Sequence, residues 1–236
     1  EPTDLQDAFD KLTTATANFN GGGASPLTYN FDLTTPNWAS EGVTDEASFI
    51  NWLATRSYNN INNLTNIVVT DFNFVGDRIF CNMTAEGTLY ELAGLGLVNA
   101  DKIGVVNGLT TLYLYSNQIV TFNPSIPLPS SLTELYLSYN QIVTFNPTIT
   151  LPNNLIYLDL SGNQIVTFNP SIPLPISLTT LYLSYNQMTL ADYTASEVWA
   201  NAQPAFTNPC YVYFDGNTDS ITGTTLETIL ISKGCI

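Results

Sequence analysis

Glu134 and Asp159 are the carboxylates whose placement most invites chemistry. They stand in two nearly identical segments, LTELYLSYNQIVTF and LIYLDLSGNQIVTF. Paired carboxylates can act as the acid and the base or nucleophile of a glycosidase. The two acids, however, occupy different columns of the repeated segment, and nothing in the sequence builds the cleft that would shift one of their pKa values. The chain has no histidine, so the commonest general base is missing as well. No catalytic residue, cofactor or enzymatic activity is expected.

Asp215, Asn217 and Asp219 offer oxygen ligands at alternate positions, as calcium loops do. Ser220 stands where such a loop needs glycine, and Glu227 lies one place beyond the usual bidentate ligand. The preferred reading is a polar turn with no metal. Cys81, Cys210 and Cys235 show no Cys-x-x-Cys spacing and have no histidine to complete a zinc site. Cys210 and Cys235 could form a disulfide tying down the C-terminal strand, which would suit an extracellular setting; three buried thiols is the equal alternative.

The remaining candidates form columns. Thr111, Glu134, Tyr157 and Thr180 share one position of a repeated segment, Tyr113, Tyr136, Asp159 and Tyr182 the position two residues on, and Tyr115 opens a third column of serines. Tyrosine supplies rigid area and a hydroxyl at small entropic cost, so this strip with its two acids is the candidate ligand-binding face. The competing reading is that tyrosine is simply a good residue for an exposed strand.

The columns exist because a 23-residue unit recurs. Leu109, Leu132, Leu155 and Leu178 open four copies of Leu-x-x-Leu-x-Leu-x-x-Asn-x-Ile. Each copy should give a short strand with leucines inward and the columns outward, and strands about 4.8 Å apart should stack Tyr113 edge to edge on Tyr136. Asn117, Asn140, Asn163 and Asn186 follow each strand, where an amide can satisfy backbone groups of neighbouring coils. Ile119, Ile142, Ile165 and Met188 enter the core, and Phe122, Phe145 and Phe168 form an aromatic spine. The return legs, FNPSIPLPSS, FNPTITLPNN and FNPSIPLPIS, carry prolines that deny them a helix.

This pattern resembles the leucine-rich repeat family, and its Leu-Pro-x-x-Leu-x-x-Leu wording resembles the bacterial or bacteriophage type. The resemblance implies an α/β solenoid with short parallel strands on the concave face and extended, Pro-rich return legs. Concave solenoid faces are the usual contact surfaces.

The flanks read as α/β caps. Residues 1–26 comprise a helix over 3–16, with Leu5, Phe9 and Leu12 on one face, and a joint at Asn20-Gly21-Gly22-Gly23. Residues 27–108 form an N-terminal cap. Within it Leu27, Tyr29, Phe31 and Leu33 alternate as a strand, and a helix over Asp45 to Arg56 buries Ala47, Ile50, Leu53 and Ala54 with Phe49 on its shoulder. Leu64, Ile67 and Val69 imitate a first repeat, residues 78–83 a strand, and Leu92, Leu95 and Leu97 a second degraded copy. Four regular repeats fill 109–190. The C-terminal cap, 191–236, holds a helix over Ala191 to Ala202 packing Tyr193, Val198 and Trp199, a strand over Cys210 to Phe214, a helix over Thr225 to Lys233 and a strand stub at Cys235-Ile236.

With 5 basic against 20 acidic residues and a net charge of −15, the surface repels phosphate backbones, which excludes nucleic acid as a partner. No run of 18 apolar residues exists, so membrane insertion is not expected. The chain begins at Glu1 with no leader, as a processed protein would, and an extracellular, cell-surface or virion-surface setting is expected. The function so indicated is a non-enzymatic recognition or adhesion module that binds a protein or a surface glycan through its tyrosines. The alternative is a structural subunit of a virion, tail fibre or surface filament, self-assembling or attached to a larger particle through the N-terminal arm. A phage receptor-binding component would unite the two.

Overall fold

Two sheets meet end to end in this chain, whose computed structural model describes residues 29–56 and 64–235. The helix expected at 3–16, the glycine joint, Leu27 and Ile236 lie outside the described residues. Strand β1 (Phe31–Thr34) buries Phe31 and Leu33 completely, the inward half of the expected alternation. Helix α1 (Glu46–Thr55) starts at Asp45, whose carboxylate accepts from Ser48 N at 2.8 Å while Ser48 Oγ accepts from Asp45 N at 2.9 Å. Its buried face is Phe49, Trp52 and Leu53, whereas Ala47 and Ala54 are exposed. The helix is turned toward its aromatics because they have far more apolar area to remove from water. Trp52 stacks on Phe49 at 6.0 Å, and Trp38 meets Trp52 edge-on at 5.1 Å.

The segment from Leu64 is not a repeat. It forms β2 (Thr65–Val75), a strand of 11 residues paired antiparallel with β3 (Arg78–Glu86) through a tight turn at Gly76-Asp77. A hairpin with Gly76 at φ 59° dictates this register, and the apparent repeat spacing is absorbed by irregularities around Asn66 and Asp71, both at positive φ. On the other side of β3 lie β1 and, in parallel beside Thr84–Glu86, β5 (Val105–Asn107).

The chain passes directly from β3 into β4 (Leu89–Glu91), and from β5 into β6 (Thr111–Tyr113), which pairs in parallel with β4. One extra residue between these ladders is taken up at Gly108, whose φ of 76° favours glycine. Leu92, Leu95 and Leu97 are fully buried in this first coil, with Tyr90 level with Leu112 and Leu95 standing where later coils have asparagine. Arg56 closes its open side. It is buried, bonded to Glu41 at 3.2 Å, and donates to the carbonyls of Glu91 and Ala93.

Strands β7 (Glu134–Tyr136), β8 (Tyr157–Asp159), β9 (Thr180–Tyr182) and β10 (Tyr211–Tyr213) extend β4 and β6 into a six-stranded, wholly parallel sheet in chain order. The return legs carry neither helix nor strand. Phe122, Phe145 and Phe168 stack within them at 6.4 and 6.1 Å with nearly parallel planes. Trp199, on α2 (Leu190–Ala202), closes that stack edge-on at 4.7 Å from Phe168. This contact sets the rotation of α2, which buries Tyr193, Ser196, Trp199 and Ala200 and leaves Val198, expected to pack, 66% exposed. Gln203 then accepts from Leu174 N and donates to Leu174 O, covering the backbone of the last leg. Helix α3 (Thr225–Ser232) is the last helix of the described residues, and the strand stub expected after it is a single parallel bridge from Cys235 to Cys210.

Polar ladders join the coils. Asn163 accepts from Ile142 N at 3.0 Å and donates to the carbonyls of Leu137 and Leu160, both at 3.0 Å; Asn140 and Asn186 repeat the pattern. Asn117 accepts from both Leu95 N and Leu97 N. A second ladder runs along the return legs, where Asn123 accepts from Thr148 N and Asn146 from Ser171 N.

Candidate functional site

The outward face of the parallel sheet brings the expected columns together. Tyr113 and Tyr136 have ring centroids 4.7 Å apart, tilted by 46° rather than edge to edge. Tyr136 continues to Tyr157 at 4.8 Å, Tyr157 to Tyr182 at 5.6 Å, and Tyr182 to Tyr213 at 4.5 Å. The ridge shifts column at β8, where Tyr157 lies level with Glu134 and Thr180, and Asp159 level with Tyr136 and Tyr182. A tyrosine ring spans the diagonal that separates these positions, so the stack stays continuous. Tyr115 joins its upper end edge-on to Tyr113 at 5.7 Å. Thr111 and Thr180, half-buried like the inner tyrosines, flank the ridge.

Polar contacts fix the rings. Tyr136 donates to Glu134 Oε2 at 3.2 Å, and Tyr115 to Glu91 at 3.3 Å. Asp159 accepts from the backbone N–H and hydroxyl of Ser161 at 2.9 and 2.6 Å. Partial burial pushes the phenols of Tyr113, Tyr136, Tyr157 and Tyr182 above their ordinary range, and neighbouring carboxylates and phenols push them further: Glu134 for Tyr136, Asp159 for Tyr157. The face is therefore apolar in its rings and electronegative at its rim.

The strand expected over Cys210 to Phe214 forms as β10, and it is the sixth strand of this sheet rather than part of a separate cap. Tyr211–Tyr213 pairs residue for residue with Thr180–Tyr182, so Tyr213 ends the ridge. The signal was Val212-x-Phe214-x-x-Asn217, which copies the Leu-x-Leu-x-x-Asn of the repeats. Asn217 is accordingly a rung of the amide ladder: it accepts from Met188 N at 3.2 Å and donates to Leu183 O and Phe214 O at 2.9 and 2.7 Å. Asp219 accepts from Leu190 N, and its carbonyl takes the Tyr193 hydroxyl. Asp215 is exposed at the end of the tyrosine face. The supposed calcium loop thus spends its central amide on the fold.

Exposed Tyr139 and Tyr185 were also missed. Each coil turns through a left-handed residue just before its asparagine position: Gly94, Ser116, Tyr139, Gly162, Tyr185 and Gly216. The ring of Tyr139 lies on Gly162 and that of Tyr185 on Gly216, so that a Cβ at those glycines would sit 2.9 and 2.4 Å from the rings. Cys210 and Cys235 are buried neighbours across an isolated parallel bridge and are present as free thiols. Their mutual hydrogen bond, and then burial, raise the Cys210 thiol pKa. No cluster of metal-ligating side chains occurs among the described residues, and none of their helices is long and apolar enough to cross a membrane.

Residues 130–188 match the family model for leucine rich repeats. The leucine-rich repeat domain of a Shigella effector is a similar solved structure, at 24% identity over 57% of this chain and 60% of that one, with a TM-score of 0.33. The match therefore spans less than two thirds of that domain. No curated protein matches the sequence. The matched residues hold β7, β8, β9 and the asparagines that close their coils, so this stretch of the chain is built of leucine-rich repeats.

Proposed function

We propose that the chain is a recognition module that binds a partner protein through the tyrosine ridge, and that it works in an adhesive role at an extracellular, cell or virion surface. The observation that carries this reading is the unbroken ring stack from Tyr113 to Tyr213. Rings held by one another, with Tyr136 and Tyr115 also bonded to Glu134 and Glu91, lose little rotamer freedom when a partner docks, so more of the contact energy appears as affinity. The leucine-rich repeat fold is characteristically a protein-binding module, which favours a protein over a surface glycan. The structural-subunit alternative rests on the N-terminal arm, which lies outside the described residues.

Attachment of the purified protein to its host cells or particles tests the reading. Tyr136→Ala combined with Tyr182→Ala should abolish attachment while leaving the protein a folded monomer. Undiminished attachment, or a fixed oligomer that disperses when residues 1–20 are removed, would overturn it in favour of assembly.

A further inference from the structure

We infer that the tyrosine ridge is built for a cationic partner, specifically an extended protein segment carrying arginine side chains. The inference rests on the reading of this face as a binding surface. Along the six strands the outward positions contain Glu134 and Asp159 and the buried Glu91, with Asp215 just past β10, and no lysine or arginine. Glu134 and Asp159 have no ion-pair partner among the described residues; the two salt bridges there, Arg56–Glu41 and Arg78–Asp32, are elsewhere. Both acids remain half-exposed beside the rings.

The column shift at β8 gives this arrangement its meaning. It puts Tyr157 between Glu134, one strand back at the same level, and Asp159 on its own strand. Two carboxylates flanking one phenol match what a guanidinium needs: a planar fork of donors, acceptors on both sides and an aromatic surface for its weakly hydrated plane. The ring–ring tilts of 36 to 49° on either side of Tyr157 leave the ridge corrugated, so that alkyl stems can lie between rings. A chain of net charge −15 would also steer a basic segment toward itself. Steering alone, however, selects no particular face.

The test separates face from field. A fluorescent peptide of alternating arginine and glycine is titrated with the whole protein, with the glutamate–glycine counterpart as control. The variant Glu134→Gln/Asp159→Asn is compared with Asp77→Asn/Glu197→Gln, which removes the same charge away from the ridge. The expected result is a loss of affinity of about tenfold or more for the first pair and less than about twofold for the second. Equal losses from both pairs, or no binding of the arginine peptide, would overturn the cationic inference. If Tyr136→Ala/Tyr182→Ala still abolishes attachment to host cells in that case, the reading of the face survives alone; if it does not, both fall.

Discussion

Tyr182 and Tyr213 are stacked, with ring centroids 4.5 Å apart and planes within 10° of each other, although 30 residues and a whole helix separate them in the chain. The contact carries the ridge onto β10, so the C-terminal cap is part of the binding face as well as a cover for the core. Tyr213→Ala should therefore weaken arginine-peptide binding severalfold, whereas Tyr211→Ala, in the neighbouring column, should change it by less than about twofold. Fluorescence titration of both variants checks this.

The ridge phenols titrate late. Burial and nearby negative groups raise the pKa of Tyr113, Tyr136, Tyr157 and Tyr182 in the folded protein above the unfolded value of about 10. The folded state then holds these protons more tightly. Their contribution to stability is complete below pH of about 10 and is lost as pH rises through the folded values. Chemical denaturation across the alkaline range should show stability falling there, and less steeply in Tyr136→Phe. A wild-type curve that stays flat above the unfolded value would contradict the shift.

Asn163→Ala removes four bonds at once: Ile142 N loses its acceptor in the core, and Leu137 O and Leu160 O each keep only one amide donor, from Asn140 and Asn186. It should cost at least about 2 kcal/mol. Asn217→Ala should be destabilising too, since its amide makes three of these bonds at the next rung. A calcium loop would behave differently, gaining thermal stability from calcium by mass action. Melting curves of the wild type with and without calcium should superimpose.

Gly216→Ala faces a left-handed backbone and the ring of Tyr185, and should lose about 1–3 kcal/mol. In a double-mutant cycle Tyr185→Ala should recover part of that loss, because the steric component disappears while the backbone strain stays. Strict additivity would show that the ring moves away at no cost.

Cys210 and Cys235 should close into a disulfide when treated with oxidised glutathione, the two thiols being converted to one S–S bond as two glutathione thiols are released. Cys81, buried and with its pKa raised to about 12, should stay reduced. Intact mass should fall by two hydrogens. A stable mixed disulfide with glutathione would instead show that the pair cannot reach bonding geometry.

The repeats were legible because a fixed period determines the coil: every leucine, asparagine and phenylalanine of 109–190 that the pattern sends inward is buried. Beyond the repeats, local patterns misled wherever a longer-range contact decided the outcome. Leu64, Ile67 and Val69 have repeat spacing, but the Gly76-Asp77 turn folds them into a hairpin. Val198 has helical spacing with Tyr193 and Trp199, yet α2 is rotated by the contact of Trp199 with Phe168. Of the candidate site, the two main columns could be read from spacing alone. Tyr213 is harder to place, because α2 stretches the last coil past the regular period, and only the spacing of Val212, Phe214 and Asn217 ties it to the repeats.

Site-specific photo-crosslinking tests the central claim most directly. A photoreactive phenylalanine analogue is placed either at Thr180, on the ridge, or at Val143, exposed outside the strand face, and irradiated with the protein in its native surroundings. The tyrosine face as contact surface predicts covalent protein adducts from position 180 and none from 143. Adducts from 143 alone, or equally from both, would contradict it.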